Sequence, residues 1–228
     1  MSALASEMIR FPSNEHETPG FLTRPDDDGP HPGVVVIQEW WGLMPHIKDV
    51  AERFAREGYV ALAPDLYHGE KADEPDEARK LAMALDRDRA VAEIQAAVAH
   101  LQQMDVVSPK QIGVVGWCMG GGLALSTAAE DGGVGAAVAF YGQPLSPADT
   151  ARIQVPILGL YAEEDQGIPV EKVRRFQEAL EEHGVAHEIH IYPGVHHAFF
   201  NDTREVYDEK AAADAWQRTL DWFGRYLR

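Results

Sequence analysis

The segment Gly116-Trp117-Cys118-Met119-Gly120 surrounds the one cysteine of the chain. Its spacing, G-x-C-x-G, is that of a nucleophile elbow with cysteine in place of serine. In such an elbow the nucleophile lies on a strained strand-to-helix turn, and glycines two positions away avoid collisions with the backbone. The helix N-terminus would favour a Cys118 thiolate, and the Met119 N–H would face a developing oxyanion. The pattern predicts a nucleophile for acyl transfer.

Two other interpretations of this segment stay open at this point. A lone cysteine can be a small buried hydrophobic residue, and a glycine-rich strand-to-helix turn can bind phosphate. The chain has no G-x-G-x-x-G, and no Lys-Ser or Lys-Thr follows the glycines as in a P-loop. These absences disfavour a nucleotide site.

A cysteine nucleophile needs a base, and the base needs an acid that orients it. In the α/β-hydrolase fold the chain order is nucleophile, acid, histidine. The predicted strand Ile157–Tyr161 is followed by three carboxylates, Glu163, Glu164 and Asp165. Asp165 precedes a turn and is the best placed of them at the carboxyl edge of the sheet, where such folds bind ligands. We interpret the two glutamates as solvated surface charges.

The base should follow the last strand. Of the ten histidines, only the pair His196-His197 follows a late predicted strand. We choose His197, which precedes Ala-Phe-Phe, as the base, and His196 is the alternative. A metal site is the other functional interpretation, but adjacent histidines point in different directions and H-E-x-x-H is absent. We therefore expect neither a metal nor a cofactor.

The elements that would position these residues are predicted from hydrophobic periodicity. The β-branched run Gly33–Ile37 lacks polar alternation, which favours a strand buried on both faces. The other predicted strands and helices alternate along the chain. The strands are 33–39, 59–64, 112–116, 134–141, 157–161 and 187–192, and the helices are 46–58, 76–104 (one or two), 119–130, 170–183 and 211–227. This order predicts an α/β fold with a mostly parallel sheet and helices on both faces, in one domain over residues 1–228.

Composition excludes several classes of function. The net charge of −17 disfavours a nucleic-acid partner, which requires clustered Lys and Arg. No apolar run approaches the roughly 20 residues of a membrane helix, and the N-terminus lacks a signal-peptide pattern. A single cysteine fits a reducing compartment. We expect a cytoplasmic protein, a monomer or small homo-oligomer, that acts on a small molecule and binds neither nucleic acid nor membrane.

Five segments together resemble the dienelactone hydrolase (carboxymethylenebutenolidase) family of the α/β-hydrolase superfamily. They are Gln38-Glu39-Trp40-Trp41-Gly42, Ala63-Pro64-Asp65-Leu66-Tyr67, Gly116-Trp117-Cys118-Met119-Gly120-Gly121, Phe140-Tyr141-Gly142 and His197-Ala198-Phe199. The resemblance implies a Cys118–His197–Asp165 triad that cleaves small lactones or activated esters through a thioester acyl-enzyme.

The same resemblance implies an accessory carboxylate and an oxyanion hole. Glu39 would lie beside Cys118 and help to switch it between a resting thiol and an active thiolate. The alternative is that Glu39 faces water at the mouth of its strand, as most glutamates do. The backbone N–H groups of Trp40 and Met119 would form the oxyanion hole.

The resemblance is weaker at the residues that would bind substrate. Family members that act on dienelactone hold its carboxylate through arginines, one of them a few residues after the catalytic histidine. Asn201 stands at that position here, so Arg204 is the candidate replacement and Arg79 the candidate for the other arginine. Arg204 could equally form a surface salt bridge, which contributes little. Aromatic side chains suggest an apolar cleft, although large aromatics are also common in cores; the candidates are Trp41, Tyr141 and Phe199.

Two alternative functions remain at this stage. One is a carboxylesterase of broad substrate range. The other is a non-catalytic relative of the α/β-hydrolases that binds a ligand, although an intact nucleophile, acid and base disfavour it.

Overall fold

The computed structural model describes residues 3–13, 16–130 and 132–227. All eight strands in these residues form one sheet with the order β1-β2-β4-β3-β5-β6-β7-β8. They are β1 Leu4–Ser13, β2 His16–Pro25, β3 Gly33–Ile37, β4 Val60–Pro64, β5 Ile112–Trp117, β6 Val134–Phe140, β7 Ile157–Ala162 and β8 His187–Tyr192. Strands β3 to β8 are parallel, whereas β1 and β2 are antiparallel to their neighbours. The mostly parallel sheet that the sequence predicts is confirmed.

The helices follow the predicted order with small shifts at their ends. They are α1 Pro45–Arg56, α2 Pro75–Ala84, α3 Arg87–Gln103, α4 Met119–Ala128, α5 Pro147–Thr150, α6 Val170–Glu182 and α7 Glu209–Tyr226. The predicted segment 76–104 forms two helices because Asp86 accepts hydrogen bonds from the N–H groups of Asp88 and Arg89 and caps a new helix. Among the described residues, no helix has the length and apolar character needed to cross a membrane.

The N-terminal hairpin was not predicted from the sequence. Strand β1 pairs with β2 along its whole length, from Leu4 opposite Pro25 to Ser13 opposite His16, and β2 pairs with β4. A proline and a glycine in β2 (Pro19 and Gly20) interrupt the strand pattern, and β1 is an edge strand with a largely exposed surface. Pro19 lies just outside the Gly20–Thr23 stretch of β2 that pairs with β4, so the strand forms although periodicity alone does not reveal it.

Two hydrophobic cores lie on opposite faces of the sheet. In β3, Val34 and Val36 face the layer of α1 and α7, whereas Val35 and Ile37 face α3, α4 and α6. Because successive side chains of a strand point to opposite faces, a run of five apolar residues supplies both cores. The predicted helices on both faces are confirmed.

The strand order places the chemical residues at one edge. Strands β3, β5, β6, β7 and β8 are consecutive neighbours in the sheet and run in the same direction. Their carboxyl ends therefore meet, and the segments that follow them carry Glu39, Cys118, Asp165 and His197. Residues far apart in the chain converge there, as is typical of ligand sites in α/β sheets.

Candidate active site

Cys118 occupies a strained turn between β5 and α4. Its backbone has φ 55° and ψ −116°, a positive φ that is uncommon for a residue with a side chain. The Cys118 N–H donates to the Phe140 carbonyl at 3.0 Å, and the Cys118 carbonyl accepts from the N–H groups of Gly121 and Gly122 at 3.1 and 3.3 Å. These bonds hold the turn, and the half-buried thiol lines a cleft. The local structure is the strand–turn–helix expected of a nucleophile elbow.

Two glycines allow the elbow to form. A Cβ at Gly116 would lie 2.1 Å from the Gly120 carbonyl oxygen, and a Cβ at Gly120 would lie 2.4 Å from the Gln38 carbonyl oxygen. Both distances are far shorter than any tolerated contact with backbone. The glycines therefore bring the start of α4 against the end of β3, where Glu39 follows.

The substitution Gly116→Ala is expected to destabilise the protein by about 3 kcal/mol or more, because the new methyl group meets backbone that cannot rotate away. Thermal unfolding measures this effect, and a loss of that size lowers Tm by roughly 6–12 °C for a chain of this length. Gly224→Ala is the matched control, since a Cβ there has no atom within 4 Å. It lies inside α7 and should leave Tm unchanged or slightly raised. Equal effects of the two substitutions would contradict this account of the elbow.

His197 and Asp165 form a direct pair. The Nδ1–H of His197 donates to Asp165 Oδ2 at 2.6 Å, while Asp165 Oδ1 accepts from the N–H groups of Gly167 and Ile168 at 2.9 and 3.1 Å. Burial opposes ionisation of Asp165, but these hydrogen bonds and the charge of His197 outweigh it and lower its pKa. The acid is therefore fixed in position and ionised, and it leaves Nε2 of His197 available for chemistry.

The charge state of His197 follows from its partners. Burial opposes the charged imidazole, but the hydrogen bond with Asp165 and the electrostatic effects of Asp165 and Cys118 outweigh it and raise the pKa of His197 to about 10. At neutral pH both ring nitrogens of His197 therefore carry a proton, and the imidazole is positively charged. The alternative base, His196, is exposed in the same cleft and makes no hydrogen bond to Asp165 within the described residues.

The other two carboxylates after β7 take different positions. Glu163 accepts the Gly194 N–H at 2.9 Å on the surface, and Glu164 is exposed at the rim of the cleft. Within the described residues, neither forms a hydrogen bond or an ion pair with His197. Within the part of the chain that the structure describes, no group of three or more His, Cys, Asp or Glu side chains is arranged to hold a metal ion.

Cys118 opens onto a cleft of about 880 Å³. In chain order, the residues that line it are Glu39, Trp40, Trp41, Cys118, Glu164, Asp165, Gln166, Gly167, His196, His197, Ala198, Thr203, Arg204, Glu205 and Val206. Glu39 is only 3% exposed, so it does not project into water as the alternative interpretation supposed. Burial raises the pKa of Glu39 above its ordinary value, against the opposing effects of a hydrogen bond from Asn201 and the charges of His197 and Arg204.

Two backbone N–H groups and one phenol lie beside the thiol. In residues 3–13, 16–130 and 132–227, neither the Trp40 N–H nor the Met119 N–H donates a hydrogen bond to protein. The Tyr67 hydroxyl donates to the Trp40 carbonyl at 3.1 Å and contacts Met119 Sδ at 3.4 Å, so one side chain fixes both residues. Before the structure, Tyr67 stood out only as the last residue of one segment that resembles the family. Its spacing carried no signal of this contact, which joins residues 52 positions apart.

The structure places only some of the candidate substrate residues in the cleft. Arg204 lies over the Trp41 ring, with its guanidinium carbon 3.9 Å from the ring centroid, and both line the cleft. Tyr141 and Phe199 are fully buried, so they belong to the core behind the site rather than to its lining. Arg79 lies outside the cleft; its side chain is 64% exposed and pairs with Asp76 at 3.7 Å on α2. The expectation that Arg79 faces the substrate is therefore not supported, because α2 carries it into solvent.

Arg204 differs from most exposed arginines of the chain in its contacts. Among the described residues it forms no ion pair, and its buried Nε atom has no hydrogen-bond partner. The surface salt bridge considered for it is absent from this part of the chain. Its cation instead contacts the aromatic face of Trp41, an interaction typical of arginine.

Comparisons with known proteins identify the relatives of this chain. The chain is 39% identical to Protein usf of Aquifex pyrophilus, an alignment that covers 97% of this chain and 99% of that protein. It is 36% identical to a protein of Aquifex aeolicus named "Putative carboxymethylenebutenolidase", over 97% and 99% of the two chains. A crystal structure from Klebsiella pneumoniae, titled as a "Putative Dienelactone Hydrolase", superposes with a TM-score of 0.91 at 32% identity, over 99% of this chain and 100% of that one.

These similarities extend over nearly the whole chain, and solved structures of other α/β-hydrolases share the fold at lower identity. The α/β-hydrolase fold that the sequence predicts is thus confirmed. The model of the family described as "Dienelactone hydrolase family" matches residues 18–227. The resemblance seen in the sequence segments is confirmed as well, and the chain belongs to the dienelactone hydrolase family.

Proposed function

We propose that this protein hydrolyses small lactones or activated carboxylic esters, with Cys118 as nucleophile, His197 as acid and base, and Asp165 as the group that orients His197. The observation that carries the proposal is the hydrogen bond from His197 Nδ1 to Asp165 Oδ2 at 2.6 Å, in the cleft that the elbow thiol lines. Family membership supports the choice of substrate class.

In the first half of the reaction the Cys118 thiolate forms a bond to the carbonyl carbon, and the carbonyl oxygen takes the negative charge. Collapse of this intermediate breaks the ester C–O bond, and the leaving oxygen takes the Nε2 proton of the His197 imidazolium. The raised pKa of His197 supports its role as this proton donor. In a lactone the leaving oxygen stays on the acyl chain, so the intermediate is an open-chain thioester.

In the second half, neutral His197 accepts a proton from water, and the hydroxide attacks the thioester carbonyl. The C–S bond breaks, the carboxylic acid leaves, and the Cys118 thiolate and His197 imidazolium are restored. Asp165 keeps its charge throughout and stabilises the imidazolium. The net reaction adds one water molecule.

The N–H groups of Trp40 and Met119, which donate to no protein group in the described part of the chain, support an oxyanion hole in both halves. Donors held in place before the reaction stabilise the developing charge without reorganisation. Tyr67 positions both residues through the Trp40 carbonyl and Met119 Sδ, at 3.1 and 3.4 Å. We propose that Tyr67 contributes to the rate by this route.

A thiolate favours good leaving groups, because it is itself readily expelled from the tetrahedral intermediate when the other group leaves poorly. Enol lactones and phenyl esters meet this requirement, and amides do not. The experiment that tests the function compares steady-state hydrolysis of dienelactone and of p-nitrophenyl acetate. Turnover of dienelactone well above that of the phenyl ester supports a lactonase. Broad turnover without that preference identifies a carboxylesterase, and no turnover of either, with a thiol inert to alkylation, identifies a binding protein.

Arg204 should favour substrates that carry a carboxylate over those that do not. Its guanidinium lines the cleft and has no acidic partner among the described residues. We expect Arg204→Met to raise KM for dienelactone by about 10-fold or more, because one charge-assisted hydrogen bond of roughly 1.5–3 kcal/mol is lost. The KM for p-nitrophenyl acetate, which carries no carboxylate, should change little. Arg79→Met, which removes an exposed arginine outside the cleft, is the control and should alter neither. An equal effect of Arg204→Met on both esters would argue against the carboxylate contact.

A further inference from the structure

Tyr67 lies in a tight turn that Asp65 organises. The Asp65 carboxyl group accepts hydrogen bonds from the N–H groups of Tyr67 at 3.2 Å and of Gly69 at 2.8 Å. The Asp65 carbonyl accepts the His68 N–H at 3.1 Å. His68 has φ 55°, a left-handed backbone that is uncommon for a residue with a side chain. Such a backbone persists where the surrounding contacts hold it in place.

Glu93 on α3 supplies a contact of this kind. Its Oε1 lies 2.9 Å from His68 Nε2 and accepts a hydrogen bond from Arg89 Nε at 2.8 Å. The guanidinium of Arg89 also contacts the imidazole of His68. The Glu93 side chain is only 5% exposed, and a buried carboxyl group is costly without hydrogen-bond donors. The residue that follows Tyr67 is therefore tied to α3 by its side chain.

The same turn lies along the segment that follows β3. The Leu66 N–H donates to Gln38 Oε1 at 3.1 Å, and the Tyr67 hydroxyl donates to the Trp40 carbonyl at 3.1 Å. This hydroxyl also contacts the sulfur of Met119, the first residue of α4, at 3.4 Å. The turn thus supports both residues whose N–H groups we assign to the oxyanion hole.

The support of Tyr67 depends on its hydroxyl proton and on its position. Burial and the nearby Cys118 raise the pKa of Tyr67 above its ordinary value, so the hydroxyl remains a donor to the Trp40 carbonyl. An oxyanion hole stabilises charge only when its donors lie at hydrogen-bond distance from the developing anion. A displacement of about 1 Å can lower a rate by roughly 100-fold. A small movement of the turn would therefore affect the reaction.

We propose that Glu93 is a positioning residue for the oxyanion hole, which it holds in place through His68 and Tyr67. The inference rests on the proposed function in one respect, the assignment of the Trp40 and Met119 N–H groups to the oxyanion. Among the described residues that line the cleft, Glu93 is absent. Its effect on the rate therefore passes through the two side chains between it and the cleft.

The test compares two reactions of one thiol. Acylation of Cys118 by p-nitrophenyl acetate places negative charge on a carbonyl oxygen. In alkylation by iodoacetamide an S–C bond forms and iodide leaves, so no oxyanion develops. Cys118 is the one cysteine of the chain, so the alkyl label reports this thiol alone.

Glu93→Leu removes the acceptor at similar volume. It should slow acylation, measured as the rate of the p-nitrophenol burst, by about 10-fold or more, because the donors are no longer held in place. KM should change little, since the lost interaction belongs to the transition state. The alkylation rate should stay that of the wild type. An unchanged acylation rate, or an equal loss in both reactions, would overturn the proposal.

Two variants examine the route from Glu93 to the oxyanion hole. In a Tyr67→Phe background, Glu93→Leu should slow acylation little further, because the hydroxyl that transmits the effect is already lost. Full additivity of the two losses would contradict this route. Glu93→Gln keeps an oxygen that can accept from His68 and should retain most of the acylation rate. A loss as large as that of Glu93→Leu would mean that the hydrogen bond to His68 is not what matters.

A third variant keeps the test decisive if Glu93→Leu does not fold. His68→Gly removes the imidazole, and glycine adopts the positive φ without strain, so acylation should slow as in Glu93→Leu. Glu52→Leu is the matched control, since Glu52 pairs with Arg56 four residues along α1 at 2.9 Å, as Glu93 does with Arg89 on α3. It should leave both reactions unchanged. If it slows acylation as much as Glu93→Leu, the loss of any such pair suffices and the proposal fails.

The position of the donors can also be observed without catalysis. The ¹H–¹⁵N resonances of the Trp40 and Met119 N–H groups should both shift in Glu93→Leu and stay in place in Glu52→Leu. If they do so while Cys118→Ala still hydrolyses esters, the proposed function fails and the positioning role of Glu93 stands. If Cys118→Ala is inactive but Glu93→Leu is acylated at the wild-type rate, the role of Glu93 alone fails.

Discussion

Cys118→Ala is expected to lower kcat for p-nitrophenyl acetate by at least about 10⁴-fold, because removal of the nucleophile from a catalytic triad leaves only the oxyanion hole and binding. KM should change little, since the methyl group of alanine fits where the thiol was. Stopped-flow assays of p-nitrophenol release measure both constants. The initial burst of product, which marks a covalent intermediate, should also disappear.

A substitution elsewhere on α4 controls for disturbance of the elbow helix. Ser126→Ala removes a hydroxyl that bonds the Gly122 carbonyl at 3.1 Å, outside the cleft. This variant should keep wild-type kinetics. Activity of Cys118→Ala near that of Ser126→Ala would mean that another residue attacks the ester.

Asp165→Asn should lower kcat by about 10²–10⁴-fold, because an amide neither fixes the His197 tautomer nor stabilises the imidazolium. It should also change the pH dependence. The carboxylate is one of the groups that raise the pKa of His197 to about 10, so its loss moves that pKa down toward the ordinary value. The fraction of protonated His197 then falls at neutral pH and above, and the alkaline limb of the kcat/KM profile shifts to lower pH.

Glu163→Gln is the matched control for the loss of one charge on the same loop. Glu163 accepts the Gly194 N–H at 2.9 Å, a bond that glutamine can also accept. The pH profile of kcat/KM for Glu163→Gln should stay that of the wild type. If both variants shift the alkaline limb equally, the shift reports net charge and not the hydrogen bond between Asp165 and His197.

The triad residues could be proposed from the sequence because each follows a strand that periodicity reveals. The elbow places Cys118 after β5, and the order acid then histidine directs attention to the ends of β7 and β8. The choice of Asp165 over Glu163 and Glu164 used the turn that follows it, and the structure shows that the N–H groups of that turn hold the carboxylate.

Other parts of the site depend on contacts that spacing does not encode. Asn201 and Glu39 are 162 positions apart, and their hydrogen bond follows from the meeting of β3 with the segment after β8. Arg204 and Arg79 were equivalent as cations in the sequence, but only Arg204 lies in the cleft. The difference arises from the path of two loops, which hydrophobic patterns leave undetermined.

Rapid-quench mass spectrometry during turnover of p-nitrophenyl acetate shows whether Cys118 takes up the acyl group of the substrate. We expect one acetyl group on the peptide that contains Cys118, present within the burst and lost as the thioester hydrolyses. In Asp165→Asn both the formation and the hydrolysis of this adduct should be slower than in the wild type. Cys118→Ala should never show the adduct. Turnover without any acetylated Cys118, or an acetyl group on another residue that forms and decays at the rate of turnover, would contradict a cysteine nucleophile.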